Sequence, residues 1–206
     1  MEGREGTCAG GAGRASGATQ DWDGLESACN ACTRCPLCAT RSNVVFGAGR
    51  RDAKILLVGE APGANEDAQG LPFVGKAGSF LDDMLKTIGL GRDKNVYITN
   101  IIKCRPPGNR DPLPSEREAC LPWLRGQFAL MRPKLTVCLG RISAAALIGE
   151  DFKITRDHGK WFEKNGSLFT AIFHPSALLR DPRRRPDTFV DLKDIQKRVT
   201  EIGNIE

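Results

Sequence analysis

Long apolar runs are missing from this chain of 206 residues; its longest uncharged apolar stretches are strand-sized, too short to cross a bilayer. The first twenty residues, MEGREGTCAGGAGRASGATQ, lack the continuous apolar centre of a signal peptide. These absences lead to the expectation of a cytoplasmic protein with no membrane association. Charge of one sign is not in large excess either, since 30 Lys and Arg stand against 25 Asp and Glu. Histidine is scarce: only His158 and His174 are present. His158, within Arg156-Asp-His-Gly-Lys160, reads as a surface turn residue and is assigned no role.

What is present suffices for one substantial core. Hydrophobic residues make up 40% of the chain, and a single domain over 21–206 is expected behind a Gly/Ala/Ser/Thr-rich flexible tail at 1–20. Eight cysteines fall at 8, 29, 32, 35, 38, 104, 120 and 138. In a cytoplasmic setting such close spacing points to metal binding or redox chemistry before disulfides. The run Cys29-Asn-Ala-Cys32-Thr-Arg-Cys35-Pro-Leu-Cys38 repeats a thiol every three residues, which lets consecutive thiolates converge on one centre. Cys104 and Cys120 are the best candidates for the remaining ligands; Cys138 lies in an apolar run and reads as core, and Cys8 lies in the tail. Four thiolates suit zinc as well as an iron–sulfur cluster.

Strand and helix signals alternate along the rest. Short apolar runs at 53–59, 95–100, 134–139 and 168–173 read as strands. Helices are expected from about 77 to 88, from a capping box at Ser115-Glu-Arg-Glu118 towards Leu130, from Gly140 through Leu147, and from about 189 to 202. The alternation predicts an α/β fold, a three-layer α/β/α sandwich around a short, mostly parallel sheet of about four strands. Ligands of such sheets bind at the carboxyl ends of the strands, and Glu60, Asn100 and His174 stand at three of those ends.

Other features gather around that rim. The turn Gly59-Glu-Ala-Pro-Gly63 lets backbone approach a ligand closely. Phe73, in a glycine-flanked loop, offers a flat face on which a base could stack. Between His174 and Arg185, Arg180, Arg183, Arg184 and Arg185 face a single acid, Asp181, a patch suited to a polyanion backbone. Taken alone, such a charge run describes a solvated turn equally well.

In order along the chain, these segments resemble the motifs of the family-four uracil-DNA glycosylases. Gly59-Glu-Ala-Pro-Gly63 with Pro72-Phe-Val-Gly-Lys-Ala-Gly78 is similar to that family's motif A, Val96 through Pro112 to its middle segment, and Phe173-His-Pro-Ser-Ala-Leu-Leu-Arg180 to its motif B. With Cys32 through Gly47 included, the similarity spans roughly residues 25 to 200. It implies a monomeric, monofunctional enzyme that acts on uracil-containing DNA and hydrolyses the N-glycosidic bond of uracil, leaving an abasic site. It also implies a structural [4Fe–4S] cluster on Cys32, Cys35, Cys104 and Cys120, ordering the loop after Asn100.

The same resemblance assigns roles at the strand ends. Asn100 would read the Watson–Crick edge of a flipped uracil, Phe73 would stack on it, Gly59 and Ala61 would line the site, and His174 would donate to O2 as the base leaves. Family-one relatives carry an Asp where Ala61 stands and use it to orient water, so here another carboxylate takes that duty. The expected division gives Glu60 base and backbone positioning, and Glu66 the water or sugar. Leu178 and Leu179 are expected as an apolar wedge, with Ser176, Arg180, Arg183 and Arg184 on phosphates.

Two rival readings compete. A relative that traps the abasic sugar covalently needs a His in a loop between Lys103 and Cys120, where this chain has none, and Gln at the position of Ala61. A non-catalytic iron–sulfur DNA-binding module would explain cysteines and arginines, but leaves Asn100 and His174 without a reason.

Overall fold

The computed structural model describes residues 21–203; the tail expected at 1–20 lies outside them. Six strands, β1 (Ala48–Gly49), β2 (Ile55–Gly59), β3 (Val96–Asn100), β4 (Leu135–Leu139), β5 (Phe162–Lys164) and β6 (Ser167–Ile172), form one sheet in the order β1-β3-β2-β4-β6-β5. The four central strands are parallel and are the four apolar runs of the sequence. Every residue of β2, β3 and β4 is buried, as a strand covered on both faces requires. The expected four strands become six because β1 and β5 add antiparallel edges of two and three residues, too short to carry a periodicity signal.

Among the described residues, eight α-helices accompany the sheet: α1 (Trp22–Asn30), α2 (Ala64–Gln69), α3 (Lys76–Lys86), α4 (Pro114–Met131), α5 (Arg141–Leu147), α6 (Ile154–Asp157), α7 (Pro175–Arg180) and α8 (Arg185–Glu201). Strand side chains alternate between faces, which builds two cores. Ile55 and Leu57 join Leu81 and Leu85 of α3 and Leu192 and Ile195 of α8 on one face. Leu56 and Val58 join Leu25 of α1 and Trp123 and Leu124 of α4 on the other, giving the three layers.

Boundaries differ from expectation where caps decide them. α4 starts at Pro114, and Glu116, not Glu118, accepts the Leu113 amide at 2.8 Å while pairing with Arg110. α8 starts four residues early because Pro186 in its first turn needs no amide partner. No helix among the described residues is long and apolar enough to cross a membrane. Pairing of Gly59 with Asn100 and of Leu139 with Ile172 brings the ends of β2, β3, β4 and β6 to one rim.

Candidate functional site

A cleft opens at that rim, lined by Glu60, Ala61, Glu66, Phe73, Asn100, His174, Ser176 and Arg180 among others. Asn100, the last residue of β3, is 1% exposed, and its Oδ1 has no hydrogen-bond partner. An unsatisfied buried acceptor costs on the order of 1–3 kcal/mol, a cost that a ligand bringing a donor would relieve. Gly59 lies beneath it: a Cβ there would stand 2.3 Å from Asn100 Oδ1 and 2.7 Å from Phe73 Cζ, closer than atoms can pack.

Phe73 is held in place by its backbone. Its φ of 54° is left-handed, a conformation that costs a non-glycine residue energy. Arg92 stabilises it by donating to the Pro72 and Phe73 carbonyls, each at 3.0 Å, while Asp82 holds the guanidinium at 2.9 Å. The ring centroid then lies 5.7 Å from that of His174. Nothing in the sequence marks Arg92, which acts across nineteen residues.

His174 caps α7. Its Nδ1 accepts the Ser176 amide at 3.2 Å and lies 2.7 Å from Ser176 Oγ. A ring nitrogen that accepts an N–H carries no proton, so the proton sits on Nε2. Burial first, and then the Arg180 charge, push the His174 pKa down to about 4 against an opposing pull from Glu66. The side chain is therefore a neutral imidazole with one N–H to donate.

The two carboxylates differ. Glu66 Oε1 accepts the Val74 and Gly75 amides at 3.0 and 3.1 Å, and Oε2 accepts the Gly63 amide at 3.2 Å. It ties the turn after β2 to the loop that carries Phe73. Glu60 is half-buried, its carboxylate has no hydrogen-bond partner among the described residues, and burial followed by the Asp111 charge raises its pKa. The geometry favours the reverse of the expected division: Glu66 positions backbone, and Glu60 is the one open to water.

Three other expectations change. Leu178 is 1% exposed within the core, so it cannot enter a DNA stack, whereas Leu179 is 39% exposed. The Ser176 hydroxyl is engaged by His174. His158 is no surface turn residue: it pairs with buried Asp191 at 2.7 Å and packs on Phe173, tying α8 to the end of β6. Of the arginines, Arg180 lines the cleft, Arg183 is exposed and pairs with Asp181, and Arg184 lies over the Phe173 ring.

On the face of the sheet covered by α1 and α4, Cys32, Cys35, Cys104 and Cys120 line a second pocket together with Cys29. Arg41, the Lys103 amide and the Trp123 indole donate to the sulfurs of Cys104, Cys120 and Cys32 at 3.2, 3.2 and 3.3 Å. No three Cys, His, Asp or Glu side chains among the described residues are placed to hold a metal ion. The surroundings nevertheless call for negative charge. Lys103 is 1% exposed, and its ammonium donates to Asn100 O at 2.9 Å, Gln127 Oε1 at 2.7 Å and Thr99 Oγ1, all uncharged acceptors. A buried cation without a counter-charge is strongly unfavourable, and the neighbouring groups able to supply one are the thiols. A thiolate-bound cluster, which is net negative, fits this donor set.

Comparison with known proteins follows the same lines. The family model of the uracil DNA glycosylase superfamily matches residues 46–195. A type-4 uracil-DNA glycosylase of Archaeoglobus fulgidus is 45% identical over 173 residues, covering 80% of this chain and 86% of the relative. Type-4 uracil-DNA glycosylases of Sulfurisphaera tokodaii and Thermotoga maritima are 45% and 42% identical over 175 and 170 residues, each covering 81% of this chain, and 79% and 86% of the relative.

Proposed function

From the premise that this chain belongs to the uracil DNA glycosylase superfamily, we propose that it hydrolyses the N-glycosidic bond of uracil in DNA, leaving an abasic site for base excision repair. The observation that carries this reading is the orphaned Asn100 Oδ1, buried in the cleft beside Phe73. Uracil pushed out of the duplex offers what that amide lacks: N3–H donates to Oδ1, while O4 accepts from Nδ2. Cytosine has an acceptor at N3 and an amino donor at C4, so the same amide opposes it. Phe73 stacks on the base, and the missing Cβ at Gly59 leaves room for the Phe73 ring and the Asn100 amide to stand side by side.

Bond breaking places negative charge on the departing uracil, and the neutral His174 donates Nε2–H to O2. A preorganised donor of this kind is worth ~10²–10³ in rate. The Ser176 amide and hydroxyl hold the tautomer that makes this possible. Ala61 brings no polar group, so Glu60 orients the attacking water or balances the cationic sugar. Leu179 fills the stack where the base stood, and Arg180, Arg183 and Arg184 hold neighbouring phosphates of a DNA bound by the monomer.

Cys32, Cys35, Cys104 and Cys120 would hold a [4Fe–4S] cluster. When bound, it supplies a covalent cross-link and a negative charge beside Lys103, not a step of the hydrolysis. Incubation with an oligonucleotide carrying one uracil, then alkali and a sizing gel, tests the reading. Cleavage at the uracil supports a glycosylase; a denaturant-resistant shifted band, or a reversible shift without cleavage, replaces it with a covalent trap or a binding module.

A further inference from the structure

We propose that Lys103 is a positioning residue that couples the cysteine pocket to Asn100. Its two ends touch both sites: the backbone amide donates to the Cys120 sulfur at 3.2 Å, and the ammonium donates to the Asn100 carbonyl at 2.9 Å. The remaining ammonium protons go to Thr99 and to Gln127 of α4, and both Thr99 and Gln127 also donate to the Phe46 carbonyl at 2.8 and 2.9 Å. A fully buried ammonium thus fastens the end of β3 to α4 and to the segment before β1.

This arrangement has two consequences. The Asn100 side chain has no intramolecular partner at Oδ1, so its backbone fixes where the amide points. That backbone is anchored by a buried ammonium whose charge the proposed cluster would balance from the cysteine side. A change at the cysteines, such as loss of the cluster charge, therefore loosens the carbonyl of the residue that reads the base. In the other direction, a base pulling on Asn100 shifts the N–H that donates to Cys120, and hydrogen bonds to cluster sulfurs tune a cluster's electronic properties.

The inference rests on the cluster reading, and the test keeps the two apart. Iron is first quantified in the purified protein; about four irons are required, and their absence sinks the cluster reading and this one with it. The iron-loaded wild type is then titrated with free uracil while the visible circular dichroism of the cluster is followed. A saturable change is expected in wild type. Lys103→Met, of similar length without donors, is expected to retain iron, to lose that change, and to raise KM about tenfold or more for uracil-containing DNA. No uracil-dependent change in wild type overturns the coupling whether or not the variant folds. A change of wild-type size in an iron-loaded Lys103→Met protein overturns it equally.

Discussion

At the scale of single residues, the proposed reaction depends on two side chains, Asn100 and His174, with different duties. His174 is neutral in the folded protein down to about pH 4, while an exposed histidine in the unfolded chain titrates near 6.5. Between those values the unfolded chain binds more protons, so stability falls as pH drops through the window and the loss is complete below about pH 4. The melting temperature of wild type relative to His174→Asn should therefore fall between pH 6.5 and 4; parallel curves would mean that His174 is not buried neutral. His174→Ala should slow excision ~10²–10³-fold with unchanged base preference. That Asn100, His174 and Glu60 meet at one rim was legible in the sequence, because each sits where a strand signal stops. The carboxylate roles were not, because Glu66 is satisfied by amides of a loop whose path sequence does not give.

At the scale of elements, the loop that carries Phe73 is held from several sides rather than by one motif. Glu66 clasps its two halves, and Arg92 holds the strained Phe73 backbone from the far side of α3. Glu66→Ala should thus lower stability by about 2 kcal/mol, as lost hydrogen bonds to a charged group do, and raise KM. Glu60→Gln should keep or slightly raise the melting temperature, since it removes a half-buried, unpaired charge, and lower kcat. Thermal melts with steady-state kinetics on both variants decide it, and the opposite pattern would restore Glu66 as the water-binding group. The edge strands and the burial of Leu178 rather than Leu179 were beyond sequence reasoning for related reasons. Two or three residues set no period, and a six-residue helix such as α7 gives no pattern telling which of Leu178 and Leu179 faces inward. The parallel core was readable because its strands, buried on both faces, are unbroken apolar runs.

At the scale of the whole molecule, a cleft, an arginine-rich helix junction and a buried cysteine pocket are held on one sheet. Because α7 carries both Leu179 and Arg180, the proposed docking on DNA and insertion into the stack would be one rigid movement. Affinity for an abasic duplex should fall steeply with salt, and Arg183→Ala should reduce the slope by about one contact; a salt-independent affinity would return the patch to ordinary surface. The central claim is narrower: a flipped uracil is recognised by the buried amide of Asn100. It is tested most directly by single-turnover excision from matched duplexes bearing uracil or cytosine at one site, comparing wild type with Asn100→Asp. A carboxylate accepts but does not donate, so it repels O4 of uracil and meets the amino group of cytosine. The account predicts uracil-only excision by wild type and a sharply reduced uracil-to-cytosine ratio in the variant; an unchanged ratio, with both rates merely scaled, would contradict it.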